Sequence, residues 1–218
     1  MTSILLLTMA LAANPSPTSP KNLEWYFTHG PEAILAEADR RSHLNGDRTF
    51  SVRVSILDDS TPTRAFKMDI QDREGKATLI RFVGPSDVFG VSILVSQERD
   101  IYIKLPGTKS IRKINVLAKR LNFLGMGWSI SDLKMMNLAP YYEPFLLHES
   151  EAEYAMRLER LPGGELLYPK LLVRIDKPTL LIKRIEYFDS RGRKVRTQER
   201  SDLRTGPFGS LYFGKIVL

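Results

Sequence analysis

The sequence predicts a mainly β protein with few helices, a curved antiparallel sheet or open barrel whose apolar face is covered by a helical lid. Three observations predict it. Apolar and polar residues alternate in run after run from Arg48 to the carboxyl end, the period that gives a strand one wet and one buried face. Gly, Pro, Asn and Asp signals separate about a dozen such runs at short spacing, which suits a sheet of hairpins. A helical pattern precedes the strands, and the alternation lapses between Asn115 and Pro140. A sheet with one apolar face must have that face covered.

Residues Ile4 to Ala13 (ILLLTMALAA) form an apolar run too short to cross a bilayer core of about 30 Å as a helix. Its length suits the apolar region of an export signal. Ala10-Leu11-Ala12 supplies a small-x-small cleavage site, and Asn14 to Pro20 (NPSPTSP) cannot continue a helix. The expected division is a signal peptide over 1–12, a linker over 13–28 and one domain over 29–218. A buried first strand or helix is the alternative, and the Pro-rich break favours export. Met1-Thr2-Ser3 carries no Lys or Arg. The chain has no cysteine, so it is expected to have no disulfide, thiolate metal site, Cys nucleophile or amino-terminal acylated Cys. The expected location is the periplasm, as a soluble protein after cleavage.

Gly30-Pro31 opens the helix: Pro31 suits the first helical position, Glu32 the positive end of the dipole, and Ile34, Leu35 and Ala38 form an apolar stripe ending near Ser42. Leu44 to Asp47 is turn chemistry. Phe50, Val52, Val54 and Ile56 then alternate with Ser51, Arg53 and Ser55, and Phe66, Met68 and Ile70 alternate with Lys67, Asp69 and Gln71. A hairpin turn at Arg73 to Lys76 leads to Thr78, Ile80 and Phe82, and further strands are expected at 91–95, 101–105 and 110–114. Between Asn115 and Pro140 a crowd of apolar residues predicts a short helix that Ser129 could cap. Strands resume at 145–148, 152–161, 168–176, 180–189, 194–202 and 211–217.

Net charge is +7 and the pI about 9.6, which raises nucleic acid or a membrane surface as partners. Acidic residues accompany the basic ones almost everywhere, as on a solvated face, so no nucleic-acid partner is expected. The dense stretch Arg191 to Arg204 (RGRKVRTQERSDLR) reads as a solvent-facing strand edge guarded by positive charge. His29, His43 and His148 lie too far apart for metal-ligand spacing, no serine sits in a Gly-x-Ser-x-Gly elbow, and no glycine run has the context of a phosphate loop. The cluster Glu149, Glu151, Glu153 is the remaining candidate for hydrolytic chemistry. The expectation is therefore no catalytic residue, no metal and no cofactor.

Leu79-Ile80-Arg81-Phe82-Val83-Gly84-Pro85 through Gly90-Val91 forms a strand, a Gly-Pro turn and a Gly-led strand. Ile101-Tyr102-Ile103-Lys104-Leu105-Pro106 is followed by Ile111-Arg112-Lys113-Ile114, Phe123-Leu124-Gly125 and Ser131-Asp132-Leu133. Ile185-Glu186-Tyr187-Phe188-Asp189 closes with Gly192. In this order the three stretches resemble the outer-membrane lipoprotein-sorting (LolA-like) family, over about Leu79 to Gly192. Met126, Gly127 and Trp128 stand where that family usually has polar and acidic residues. The resemblance implies an incomplete β-barrel closed by helices over a hydrophobic cavity, holding the acyl chains of a lipoprotein or a free lipid. It also implies an inner-membrane exporter as donor and an outer-membrane acceptor. The protein is expected to be a monomer and a carrier, not an enzyme.

An acyl chain offers nothing polar to grip, and burial contributes about 0.8 kcal/mol per methylene. The inward residues expected to line such a cavity are Phe50, Val52, Val54, Phe66, Met68, Ile80, Phe82, Ile93, Ile101 and Ile103. Alternation alone does not separate an open cavity from a packed core. Met126, Trp128, Ile130, Leu133, Met135 and Met136 are the expected lid, Met being adaptable to variable shapes.

Overall fold

Among the described residues, period-two alternation becomes one sheet of 13 strands, every neighbouring pair antiparallel. The computed structural model describes residues 4–13, 30–42, 47–58, 61–73, 76–96, 100–114, 137–163, 166–206 and 209–218, with the backbone alone for 4–13, 57, 58, 61 and 62. In chain order the elements are β1 (Ile4–Ala13), α1 (Gly30–Ser42), β2 (Arg48–Asp58), β3 (Thr61–Arg73), β4 (Ala77–Gly84), β5 (Ser92–Ser96), β6 (Ile101–Lys104) and β7 (Ile111–Lys113). They continue with β8 (Tyr142–Glu149), β9 (Glu153–Arg160), β10 (Lys170–Asp176), β11 (Ile182–Phe188), β12 (Lys194–Thr205) and β13 (Leu211–Val217).

The strand order is β7-β6-β5-β4-β3-β2-β1-β13-β12-β11-β10-β9-β8, two meanders joined through β1. The outermost strands β7 and β8 do not pair, so the sheet is not closed into a barrel. Both edges are blunted: β7 is three exposed residues including Arg112 and Lys113, and β8 carries Pro144, which has no N–H to offer. Register shifts at Ile56/Leu57, Lys67/Met68, Arg174/Ile175, Tyr187/Phe188 and Leu146/His148 add local twist that coils the sheet.

Two expectations meet a different arrangement. The run expected as an export signal is paired as β1 in this chain, from Ile4↔Leu57 to Ala13↔Arg48 on β2 and over Leu6 to Thr8 on β13. Its leucines and alanines are compatible with either fate. The basic stretch Arg191 to Arg204 is not an edge: β12 is bonded to β11 on one side and β13 on the other. Period two then forces alternate residues inward, and Arg196, Gln198 and Arg200 share the buried face despite their polarity.

The buried face carries two apolar clusters. One gathers β8–β11 residues such as Tyr154, Met156, Leu158, Leu171, Val173 and Ile185 with Ile34, Leu35 and Ala38 of α1. The other gathers β2–β6 and contains no residue of α1. The helix begins at Gly30, whose φ of 77° suits the residue without a Cβ, and it runs to Ser42 as expected. Asp39 fixes it: Oδ2 accepts the backbone N–H of Leu138 at 2.7 Å and of Ala139 at 2.6 Å. Arg41 donates to the Thr179 carbonyl at 3.0 Å, and buried Glu37 accepts from Arg40 and Arg41. The helix expected over 115–140 falls on residues 115–136, outside the described residues.

Candidate functional site

The expected lining residues come together. Directly opposed pairs Phe50↔Ile70, Ile70↔Ile80, Ile80↔Ile93 and Ile93↔Ile103 form one row across β2–β6. A second row runs Val52↔Met68↔Phe82, and Val54↔Phe66 and Val95↔Ile101 extend the face. Facing pairs have Cβ atoms about 5 Å apart, so each row is a continuous apolar strip. Phe50, Val52, Val54, Phe66, Met68, Ile80, Phe82, Ile93 and Ile101 are buried and Ile103 is half-buried against them. Phe66 and Phe82 meet edge to face, ring centroids 6.2 Å apart. Val88, Val91 and Val95 join the cluster although alternation did not single them out, Val88 because it sits in the turn after Pro85. Met126, Trp128, Ile130, Leu133, Met135 and Met136 lie outside the described residues.

One end of the strip is polar and neutral. Arg48 reaches Asp72 Oδ2 from Nη2 at 2.6 Å and from Nε at 2.8 Å, and the Thr78 hydroxyl donates to Asp72 Oδ1 at 2.6 Å. Beyond β13 the buried face turns polar again at β12. The Arg196 guanidinium lies 4.1 Å from the Tyr187 ring centroid and 5.1 Å from that of Tyr168, and the Tyr187 hydroxyl donates to Gln198 Oε1 at 2.7 Å. The Arg200 Nε is shielded from solvent and meets no acceptor among the described residues. Burial pushes this guanidinium below its ordinary value, against the pull of Tyr187 and Asp39.

The acidic cluster does not converge. Glu149 pairs with Lys177 at 2.6 Å, while Glu153 lies between Lys183 at 2.6 Å and Arg174 at 2.7 Å. The Lys183 bond, with the field of both cations, holds the Glu153 carboxyl below its ordinary range. Glu149 and Glu153 are thus each committed to a cation, and Glu151 is exposed. His148 is exposed, His29 and His43 lie outside the described residues, and no three potential metal ligands group together among the described residues.

On the outer face of β4–β7 a groove of about 560 Å³ is bordered by Leu79, Arg81, Leu94, Tyr102, Lys104 and Ile111. Phe89, Leu105 and Ile111 are exposed along it. Among the described residues no helix is long and apolar enough to cross a membrane.

A family model described as an uncharacterized protein matches residues 74–208. The chain belongs to that family. Comparison by sequence with curated proteins gives no match. Among solved structures, a DUF1329 family protein from Desulfovibrio piger superposes with a TM-score of 0.72 at 22% identity, covering 86% of this chain and 88% of that one. A structure described as an outer membrane lipoprotein-sorting protein domain from Vibrio parahaemolyticus gives 0.67 at 18% identity, over 90% and 89%. A LolA superfamily protein from Nitrosomonas europaea gives 0.61 at 17%, over 86% and 89%. The fold is therefore that of the lipoprotein-sorting proteins, as the three sequence stretches implied.

Proposed function

We propose that this family member is a periplasmic carrier that binds the acyl chains of a lipoprotein or a lipid against the inner face of β2–β6 and shuttles it between envelope membranes. The observation that carries the reading is the pair of apolar rows across five strands, on a fold shared with lipoprotein-sorting proteins, in a cluster that α1 leaves to another cover. In this reading Met126, Trp128, Ile130, Leu133, Met135 and Met136 supply that cover, residues 1–12 are removed at export, and 13–28 tether the domain. The donor is an inner-membrane exporter and the acceptor lies in the outer membrane. No catalysis is involved.

The test is native mass spectrometry with lipid extraction on the protein purified from the periplasm of its own host. A stoichiometric lipid or acylated polypeptide supports the carrier, and a clean apo mass under gentle conditions refutes it. The groove on the outer face of β4–β7 favours a second reading, a cargo-free interaction module that docks an envelope transporter there. In that case Phe89→Ser with Ile111→Ser abolishes partner capture and the interior holds no lipid.

A further inference from the structure

The two apolar clusters do not merge across the sheet: β12 places Arg196, Gln198 and Arg200 between them on the buried face. Arginine stays protonated even when buried, so a buried guanidinium needs an anion or a ring of acceptors. On the same face Arg48 has Asp72 as its anion. Arg200 differs. Its Nε has no acceptor among the described residues, and Asp39, the carboxylate within electrostatic reach, makes no hydrogen bond to it, its Oδ2 serving two backbone N–H groups. Tyr187 joins the group by holding Gln198 through its hydroxyl while its ring carries Arg196, so cation, amide and Arg200 surround one aromatic residue. Arg200 is opposite Ile216, which packs against the β2–β6 cluster, so the cation borders the apolar strip.

Resting on the carrier reading, we infer that Arg200, with Gln198 and Arg196 beside it, seats the oxyanion of an anionic lipid headgroup whose acyl chains run along β2–β6. The cargo is then a phosphate-bearing lipid in preference to an uncharged acyl anchor. A planar guanidinium suits a phosphate, and charge-assisted bonds discriminate by about tenfold or more.

The experiment loads the protein from mixed dodecyl maltoside micelles with phosphatidylglycerol and diacylglycerol of identical chains, read by native mass spectrometry. The wild type should prefer phosphatidylglycerol by about tenfold or more, from the charge-assisted bonds. Arg200→Gln should take both lipids about equally, while Arg200→Lys, which keeps the charge, should keep the preference. Thermal unfolding of each variant shows that it is folded, and Arg200→Met, equally uncharged and expected to lose the preference, takes the place of Arg200→Gln if that variant is not. Equal loading by the wild type, or an undiminished preference in Arg200→Gln, overturns the headgroup seat while leaving the carrier intact. Loading of neither lipid refutes the carrier itself. Binding of inorganic phosphate alone, lost in Arg200→Gln, with no preference between the lipids, assigns the site to free phosphate and overturns the headgroup.

Discussion

At the scale of single residues, polar groups inside the sheet divide into those that fasten the chain and those that remain to bind. Asp39 fastens: one carboxylate oxygen serves two backbone N–H groups 99 and 100 residues away, tying α1 to the entry of β8. Asp39→Ala leaves those donors unsatisfied in a buried setting and should cost about 2–4 kcal/mol, since bonds to charged groups contribute about 1.5–3 each. Denaturant unfolding reads this, and a loss under 1 kcal/mol, roughly that of one neutral bond, would show that water replaces the carboxylate. Phe82 is the opposite kind of residue, 1% exposed and opposed to Met68 in the apolar strip. Phe82→Asp puts a carboxylate where its desolvation costs several kcal/mol, so the protein should be recovered without lipid. Lipid retained at wild-type stoichiometry would move the cargo off this face.

Elements show which features alternation makes legible. Phe50 to Ile103 could be assigned to one face because each strand obeys period two and each hairpin has its turn residues, so the membership of that buried face is legible in the sequence. Which strand neighbours which was not readable. Nothing in RGRKVRTQERSDLR says that β12 lies between β11 and β13, and the half-burial of Arg196 and Arg200 follows only from that position. The role of α1 was equally hidden: its stripe Ile34, Leu35, Ala38 predicts that it packs, not that it packs on β8 and β11 and leaves β2–β6 to another cover. Residues 4–13 pose the same question of fate. With β1 in place, β2 and β13 each pair to it. If cleavage follows Ala12, the inward-turned amides of β2 lose their partner, and two strands about 4.8 Å from a missing neighbour can restore the bonds only by closing on each other. Hydrogen exchange on the chain beginning at Ala13 should therefore show Thr49–Val54 protected as in the chain that keeps residues 1–12. Fast exchange along β2 would mean that residues 4–13 are a permanent strand, to be found at the amino terminus of the purified protein.

Across the whole molecule, one sheet carries two interiors with different covers. The β8–β11 half is closed by α1, with Leu35 fully buried and Asp39, Glu37 and Arg41 fixing the helix in place. Its outer face is stitched by Glu153 with Lys183 and Arg174, and by Glu186 with Arg184. Both carboxyls lie below their ordinary value of 4.5, chiefly through hydrogen bonds from Lys183 and Arg184. A carboxyl depressed on folding contributes stability above its unfolded value that is lost as pH falls through the folded one. The thermal midpoint should thus hold near neutrality and fall below pH 4.5, and Glu153→Gln, worth about 0.5–1 kcal/mol at pH 7 after solvent screening, should cost nothing once the carboxyl is protonated. Among the described residues no helix covers the β2–β6 half, and in the carrier reading its cargo supplies part of the cover. Ligand that binds only the folded state stabilises it by mass action, about 2.7 kcal/mol at a hundredfold excess over Kd. Stripping the lipid should then lower the thermal midpoint and speed exchange of β2–β6 amides, while those of β9–β11 keep their protection. Uniform loss over both halves would mean that the sheet is a single cooperative unit, and no loss anywhere would mean that the strip is filled by its own side chains and holds no cargo.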